Sequence, residues 1–275
     1  MAWIDWEDAF ANGAYIEGAE EYPSAWAKAA AEFRAVARAR LDLDYGASLR
    51  SRLDLFLPEG QPRGLVVFVH GGYWLRFDKS TWSHLAQGPV IRGWAVAVPS
   101  YTLAPDARIS EITAQIAQAI VAASKEVSGP IALAGHSAGG HLVSRSICAD
   151  TALPDDVTNR ISHVMSISGL HDLRPLMATT MNDKLRLTQE EAVRESAALQ
   201  EPLSGVALTA WVGGYERPEF LRQSALLREA WARKDADIRL VVDNDFHHFN
   251  VIAGLAQADS PITQTLIARA EALET

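Results

Sequence analysis

A chain of 275 residues with 48% hydrophobic side chains can bury one large core, and its net charge of −9 argues against partners that reward clustered Lys and Arg, namely nucleic acid and anionic membranes. The single cysteine, Cys148, excludes an internal disulfide or a thiolate metal cluster and is expected to pack as a small buried side chain. The start, Met1-Ala2-Trp3-Ile4-Asp5-Trp6-Glu7-Asp8, has neither a basic nor an apolar stretch, and no run reaches membrane-span length, so a cytoplasmic protein with no membrane partner is expected.

Residues 1–45 are rich in alanine and aromatics and read as an N-terminal helical extension, with Tyr22-Pro23-Ser24-Ala25-Trp26 leading into a helix that runs to about Arg40. Residues 49–57 alternate apolar and polar, as an exposed early strand does, whereas 64–69 are a continuous apolar run fit for a buried strand. Further strands are predicted at 94–98, 131–135, 164–168, 206–212 and 238–242, with helical periodicity over 106–125, 138–149, 217–233 and 261–273. This alternation predicts an α/β fold, a mostly parallel central sheet with helices on both faces, in one domain spanning 1–275. Residues 172–200 break the alternation with two expected helices separated by Met181-Asn182-Asp183. Insertions at the C-terminal edge of a parallel sheet tend to cover its ligand crevice, so 1–45 and 172–200 are both lid candidates.

The most informative motif is Gly135-His136-Ser137-Ala138-Gly139, directly after the apolar run 130–134. A sharp strand-to-helix turn can lift one hydroxyl clear of a sheet, and small residues two positions either side of Ser137 let strand and helix approach. Ser137 then sits near a helix N-terminus, and the Ala138 N–H becomes a candidate oxyanion donor. Upstream, His70-Gly71-Gly72-Tyr73-Trp74 ends a buried strand, and its two glycines leave N–H groups uncovered that could complete an oxyanion hole with Ala138. His70 is expected to brace this loop.

A serine hydroxyl needs a base oriented by a carboxylate, and in this architecture the chain order is serine, acid, histidine. The strand at 206–212 leads into Gly213-Gly214-Tyr215-Glu216, and that at 238–242 into Asp243-Asn244-Asp245-Phe246-His247-His248-Phe249. Glu216, just past the glycine pair, is favoured over Glu219, which falls where a helix has begun. Spacing alone leaves His247 and His248 open. Adjacent histidines in an extended loop point apart and seldom chelate one ion, so a metal site there is disfavoured.

These motifs resemble the α/β-hydrolase superfamily over nearly the full length, in the branch of hormone-sensitive-lipase-like esterases and kynurenine formamidases. His70-Gly71-Gly72-Tyr73-Trp74 is similar to the formamidase form of the oxyanion motif, where the esterases usually carry a third glycine in place of Tyr73. Ser100-Tyr101-Thr102-Leu103-Ala104-Pro105 and Ser168-Gly169-Leu170-His171-Asp172-Leu173 are similar to family segments as well. The family often places its catalytic histidine before an aromatic residue, which implies His248, followed by Phe249. Many members use aspartate where this chain offers Glu216; either carboxylate can hold the imidazole.

The resemblance implies hydrolysis through an acyl-enzyme, with Ser137, Glu216 and His248 catalytic and Gly71, Gly72 and Ala138 holding the oxyanion, and no metal or organic cofactor. Tyr73, Trp74 and Tyr101 are expected to narrow the substrate site. A short-chain carboxylic ester is the expected substrate, ahead of N-formylkynurenine or a related N-formyl aryl amine. A non-catalytic small-ligand receptor on the same fold is the alternative of another class.

Overall fold

The computed structural model describes residues 4–271. Eight strands form one sheet: β1 (Ala39–Asp44), β2 (Arg52–Phe56), β3 (Leu65–Val69), β4 (Ala95–Pro99), β5 (Ile131–His136), β6 (Ile161–Ile167), β7 (Ala207–Gly213) and β8 (Ile238–Asp243), in the order β1-β2-β4-β3-β5-β6-β7-β8. β2 runs antiparallel to β1 and β4, and every pair from β4 to β8 is parallel.

The apolar runs read as buried strands are buried on both faces. Leu65, Val67 and Val69 of β3 join one core with the helices Ile109–Glu126, Ala138–Arg145 and Pro218–Ala232, while Val66 and Phe68 join a second core with the helices Tyr22–Val36 and Pro261–Glu271. Successive strand residues point to opposite faces, so five residues of β3 serve two cores at once. Cys148 is buried, which pushes its thiol up to about 12.

Four sequence expectations are corrected. The strand expected to be exposed within 49–57 is β2, which lies between β1 and β4 with Leu53, Asp54, Leu55 and Phe56 buried. Residues 1–45 are not helical throughout: the helix stops at Val36 and 39–44 form β1, an edge strand whose Ala-Arg-Leu-Asp-Leu-Asp alternation has period two. The helix expected over 138–149 ends at Arg145. Residues 172–200 carry four short pieces, with 3₁₀ turns at Arg174–Ala178 and Ala197–Leu199 and helices at Asn182–Leu185 and Gln189–Arg194, so Asn182 and Asp183 belong to a helix instead of separating two. Positions 272–273 of the last expected helix lie outside the described residues.

Among the described residues no helix is long and apolar enough to cross a membrane. Because β3 and β5 to β8 run the same way, their C-terminal ends deliver His70-Gly71-Gly72, Ser137, Ser168, Glu216 and His248 to one edge of the sheet. That edge is where crevices of parallel sheets open.

Candidate active site

Ser137 joins β5 to the helix Ala138–Arg145 with φ 56° and ψ −117°, a conformation L-residues adopt only under strain. The flanking glycines explain how the turn closes. A Cβ on Gly135 would lie 2.1 Å from the Gly139 carbonyl oxygen, and one on Gly139 would lie 1.9 Å from that of Val69. The Ser137 N–H is held by the Ile167 carbonyl at 2.8 Å, which ties the turn to β6. Ala138 opens the helix, so its N–H has no acceptor within the helix.

The loop after β3 lies against this turn. A Cβ on Gly71 would fall 2.8 Å from the His136 carbonyl oxygen and 3.0 Å from the Ser137 Cβ. Gly72, Tyr73 and Trp74 all have positive φ (111°, 52° and 58°), and the Gly72 carbonyl accepts from the Leu75 and Arg76 amides at 3.0 and 3.1 Å. His70 braces the loop: its ring nitrogen Nδ1 donates to the Gly71 carbonyl at 2.7 Å, its ring stacks 4.4 Å from that of Tyr101, and its carbonyl accepts from the Tyr101 hydroxyl at 3.0 Å. Complete burial holds its imidazole down at about 4, so it stays neutral.

The downstream loops separate the candidates that spacing left open. His248 Nδ1 lies 2.6 Å from Glu216 Oε2, and both residues are buried. Oε1 of Glu216 accepts from the Gly213 amide at 2.8 Å and from the Ser168 hydroxyl. Three donors thus fix the carboxylate, and the ring of Phe220 packs 4.5 Å from the His248 ring. Glu219 turns elsewhere, pairing with Arg222 through two contacts of 2.7 Å and accepting from Gln223. His247 points to the other side of its loop, 3.1 Å from the Tyr22 hydroxyl, and burial lowers its pKa. The two histidines therefore do not converge, and among the described residues no group of three or more His, Cys, Asp or Glu is placed to hold a metal ion.

Ser137, His136, His248, Gly72 and Tyr73 line one cavity of 630 Å³. The aromatic rings of Phe10, Trp26, Phe77, Trp82 and Phe249 share the rest of its wall with small residues and with Glu7, Asn12, Glu20 and Arg76. The N-terminal segment supplies much of this wall, and its anchors sit beside site residues in sequence. The Tyr73 hydroxyl donates to the Phe10 carbonyl at 2.7 Å, Tyr22 meets His247, and Arg217 pairs with Asp8 while lying 3.6 Å over the Tyr15 ring. Of residues 172–200, Met181 alone lines the cavity among the described residues. Elsewhere that segment packs: the Glu191 carboxylate accepts from Ser110 and pairs with Arg108.

Two expected substrate contacts are corrected. Trp74 and Tyr101 are fully buried and do not line the cavity. The left-handed turn sends Trp74 edge-on to the His141 ring at 5.1 Å, and Tyr101 is spent on bracing His70. Tyr73 remains on the wall. Sequence reasoning did not single out Ser168 as a site residue, nor Trp26, Phe77 and Trp82 as wall; for Ser168 the usable signal was its place at the end of β6, level with Ser137 and Glu216 on the same sheet edge.

Comparison with known proteins agrees with this architecture. A family model described as alpha/beta hydrolase matches residues 66–272. A kynurenine formamidase from Danio rerio is 28% identical over 85% of this chain and 83% of its own, and one from Drosophila melanogaster 26% over 82% and 79%. A solved structure from Silicibacter sp. TM1040, provisionally described as a thioesterase, aligns with a TM-score of 0.90 at 53% identity, covering 96% of this chain and 99% of its own. An esterase from Pyrobaculum calidifontis shares the fold with a TM-score of 0.71 at 16% identity, over 93% and 94%. The branch expected from His70-Gly71-Gly72-Tyr73-Trp74 is thus met among the relatives. With a match running from β3 into the last helix, on a sheet of this order, the chain belongs to the alpha/beta hydrolase family.

Proposed function

We propose that this hydrolase acts as a serine acyl hydrolase on short-chain carboxylic esters, with an aromatic group seated in the cavity. The observation that carries the reading is the 2.6 Å contact between Glu216 and His248 beside a cavity that Ser137 also lines. Glu216 holds Nδ1–H of His248, which leaves Nε2 as the base that takes the Ser137 proton. The serine oxygen attacks the carbonyl carbon, and the negative oxygen that forms meets the amides of Gly71, Gly72 and Ala138. Collapse expels the leaving group, which takes the proton from His248. Water then repeats the sequence on the acyl-enzyme and frees Ser137.

A second reading, hydrolysis of an N-formyl aryl amine, is favoured by the similarity to kynurenine formamidases across most of the chain. It uses the same residues and differs in the leaving group. The ring-lined wall suits an aromatic leaving group in both cases. A receptor reading is disfavoured by the intact Glu216–His248 pair.

The test has two parts. Ser137→Ala should lower kcat by at least ~10⁴-fold with the fold retained, and a fluorophosphonate should label Ser137, as mass spectrometry would read; an active Ser137→Ala variant or an unlabelled serine overturns the mechanism. Side-by-side kcat/KM values for short-chain aryl esters, acyl thioesters and N-formylkynurenine then rank the substrates. A strong preference for the formamide would replace the ester reading by the second one.

A further inference from the structure

The pair with Glu216 fixes one ring nitrogen of His248 but not the backbone that carries the ring. That backbone is held from the nucleophile side. His136, the last residue of β5 and the neighbour of Ser137, is 3% exposed, and its Nε2 donates to the His248 carbonyl at 2.9 Å. A carbonyl oxygen can only accept, so this contact sets the tautomer: Nε2 carries the proton and Nδ1 the lone pair. Among the described residues Nδ1 is buried without a partner, so the bond to the His248 carbonyl orients the ring. The two imidazole rings lie 4.7 Å apart. Burial keeps His136 neutral, so it adds no second cation when its neighbour takes a proton.

From this geometry we infer that His136 is a positioning residue for the proton transfer, pinning the main chain of His248 so that the imidazole stays between Glu216 and Ser137. The inference rests on the reading of His248 as the base. One residue thereby links the strand that presents the nucleophile to the loop that presents the base, across 112 positions of sequence. A shift of about 1 Å in a reacting group can cost about 100-fold in rate, so a link of this kind should act on kcat more than on binding.

Two amides that differ by one methylene test the link. The side-chain nitrogen of Gln reaches about as far as imidazole Nε2, whereas that of Asn reaches only as far as Nδ1. His136→Gln should keep kcat on a short-chain aryl ester within about fivefold of the native enzyme, while His136→Asn should lose about 30-fold or more, with KM within about twofold in both and both thermal midpoints alike. The rate of fluorophosphonate labelling should fall in step with kcat. Equal kcat in the two variants, or a Gln variant as slow as the Asn variant, overturns the inference. His248→Ala separates it from the mechanism beneath it: an active His248→Ala variant removes the base, whereas an inactive one beside equal Gln and Asn variants removes only the role of His136.

Discussion

At the scale of single residues, the site is governed by which carboxylate and which imidazole meet. Glu216 and Glu219 are both buried, yet one accepts from the His248 ring and the other pairs with Arg222. Glu216→Gln should therefore lower kcat by about 10³- to 10⁴-fold, because an amide cannot stabilise the imidazolium, while Glu219→Gln should stay within about threefold. Steady-state kinetics on one aryl ester checks the pair, and comparable losses would move the acid to Glu219. Ser137 and His70-Gly71-Gly72 were legible in sequence because close backbone approach excludes side chains and leaves glycine as its mark. Trp74 was not, because the handedness of a turn decides which way its ring points and composition does not record it; nor was Tyr101, whose stacking on His70 joins residues 31 positions apart. His247 and His248 stayed open on spacing for a related reason: neighbours diverge, and only their partners, Tyr22 and Glu216, tell them apart.

At the scale of elements, β3 and the start of β5 read as uninterrupted apolar runs, since both strands are buried on both faces. β1 escaped because it is an exposed edge whose short alternation follows directly on a helix. Charge fastens it to the sheet: Lys79 Nζ lies 2.7 Å from both Asp42 of β1 and Asp54 of β2, and Asp54 also accepts from the Asp42 amide at 2.9 Å. Asp54 is 1% exposed. Lys79→Met would strand that carboxylate and should cost about 3 kcal/mol, read as a lower denaturant midpoint. An unchanged midpoint would mean that the β1 edge does not depend on this pair. The N-terminal segment was legible as a candidate cover, from its aromatics, but its anchors were not. Phe10, Tyr22 and Asp8 reach Tyr73, His247 and Arg217 from distant positions, and no local pattern encodes such contacts.

At the scale of the whole molecule, the alternation of runs was enough to read the fold class, and the strand order needed the structure. The cores also hold histidines that burial keeps neutral: His70 and His163 are lowered to about 4, and His141 and His171 to about 3. Their unfolded values lie near 6.5, so between 6.5 and about 4 the unfolded chain binds more protons. The stability they contribute is complete above pH 6.5 and is lost as pH falls toward the folded values, by about 3 kcal/mol for a group moved as far as His70. The thermal midpoint should therefore drop steeply between pH 6.5 and 4; a flat calorimetric profile there would contradict this burial of neutral imidazoles. The strained turn at Ser137 acts on the same quantity from the opposite side. Glycine adopts a positive φ freely, so Ser137→Gly should unfold at a higher temperature than the native chain, by about 1 kcal/mol of added stability, whereas Ser137→Ala keeps the strain and should not. On the proposed mechanism, the substitution that makes the molecule more durable is also the one that removes the nucleophile, so the strain at this turn is tied to the hydroxyl it presents.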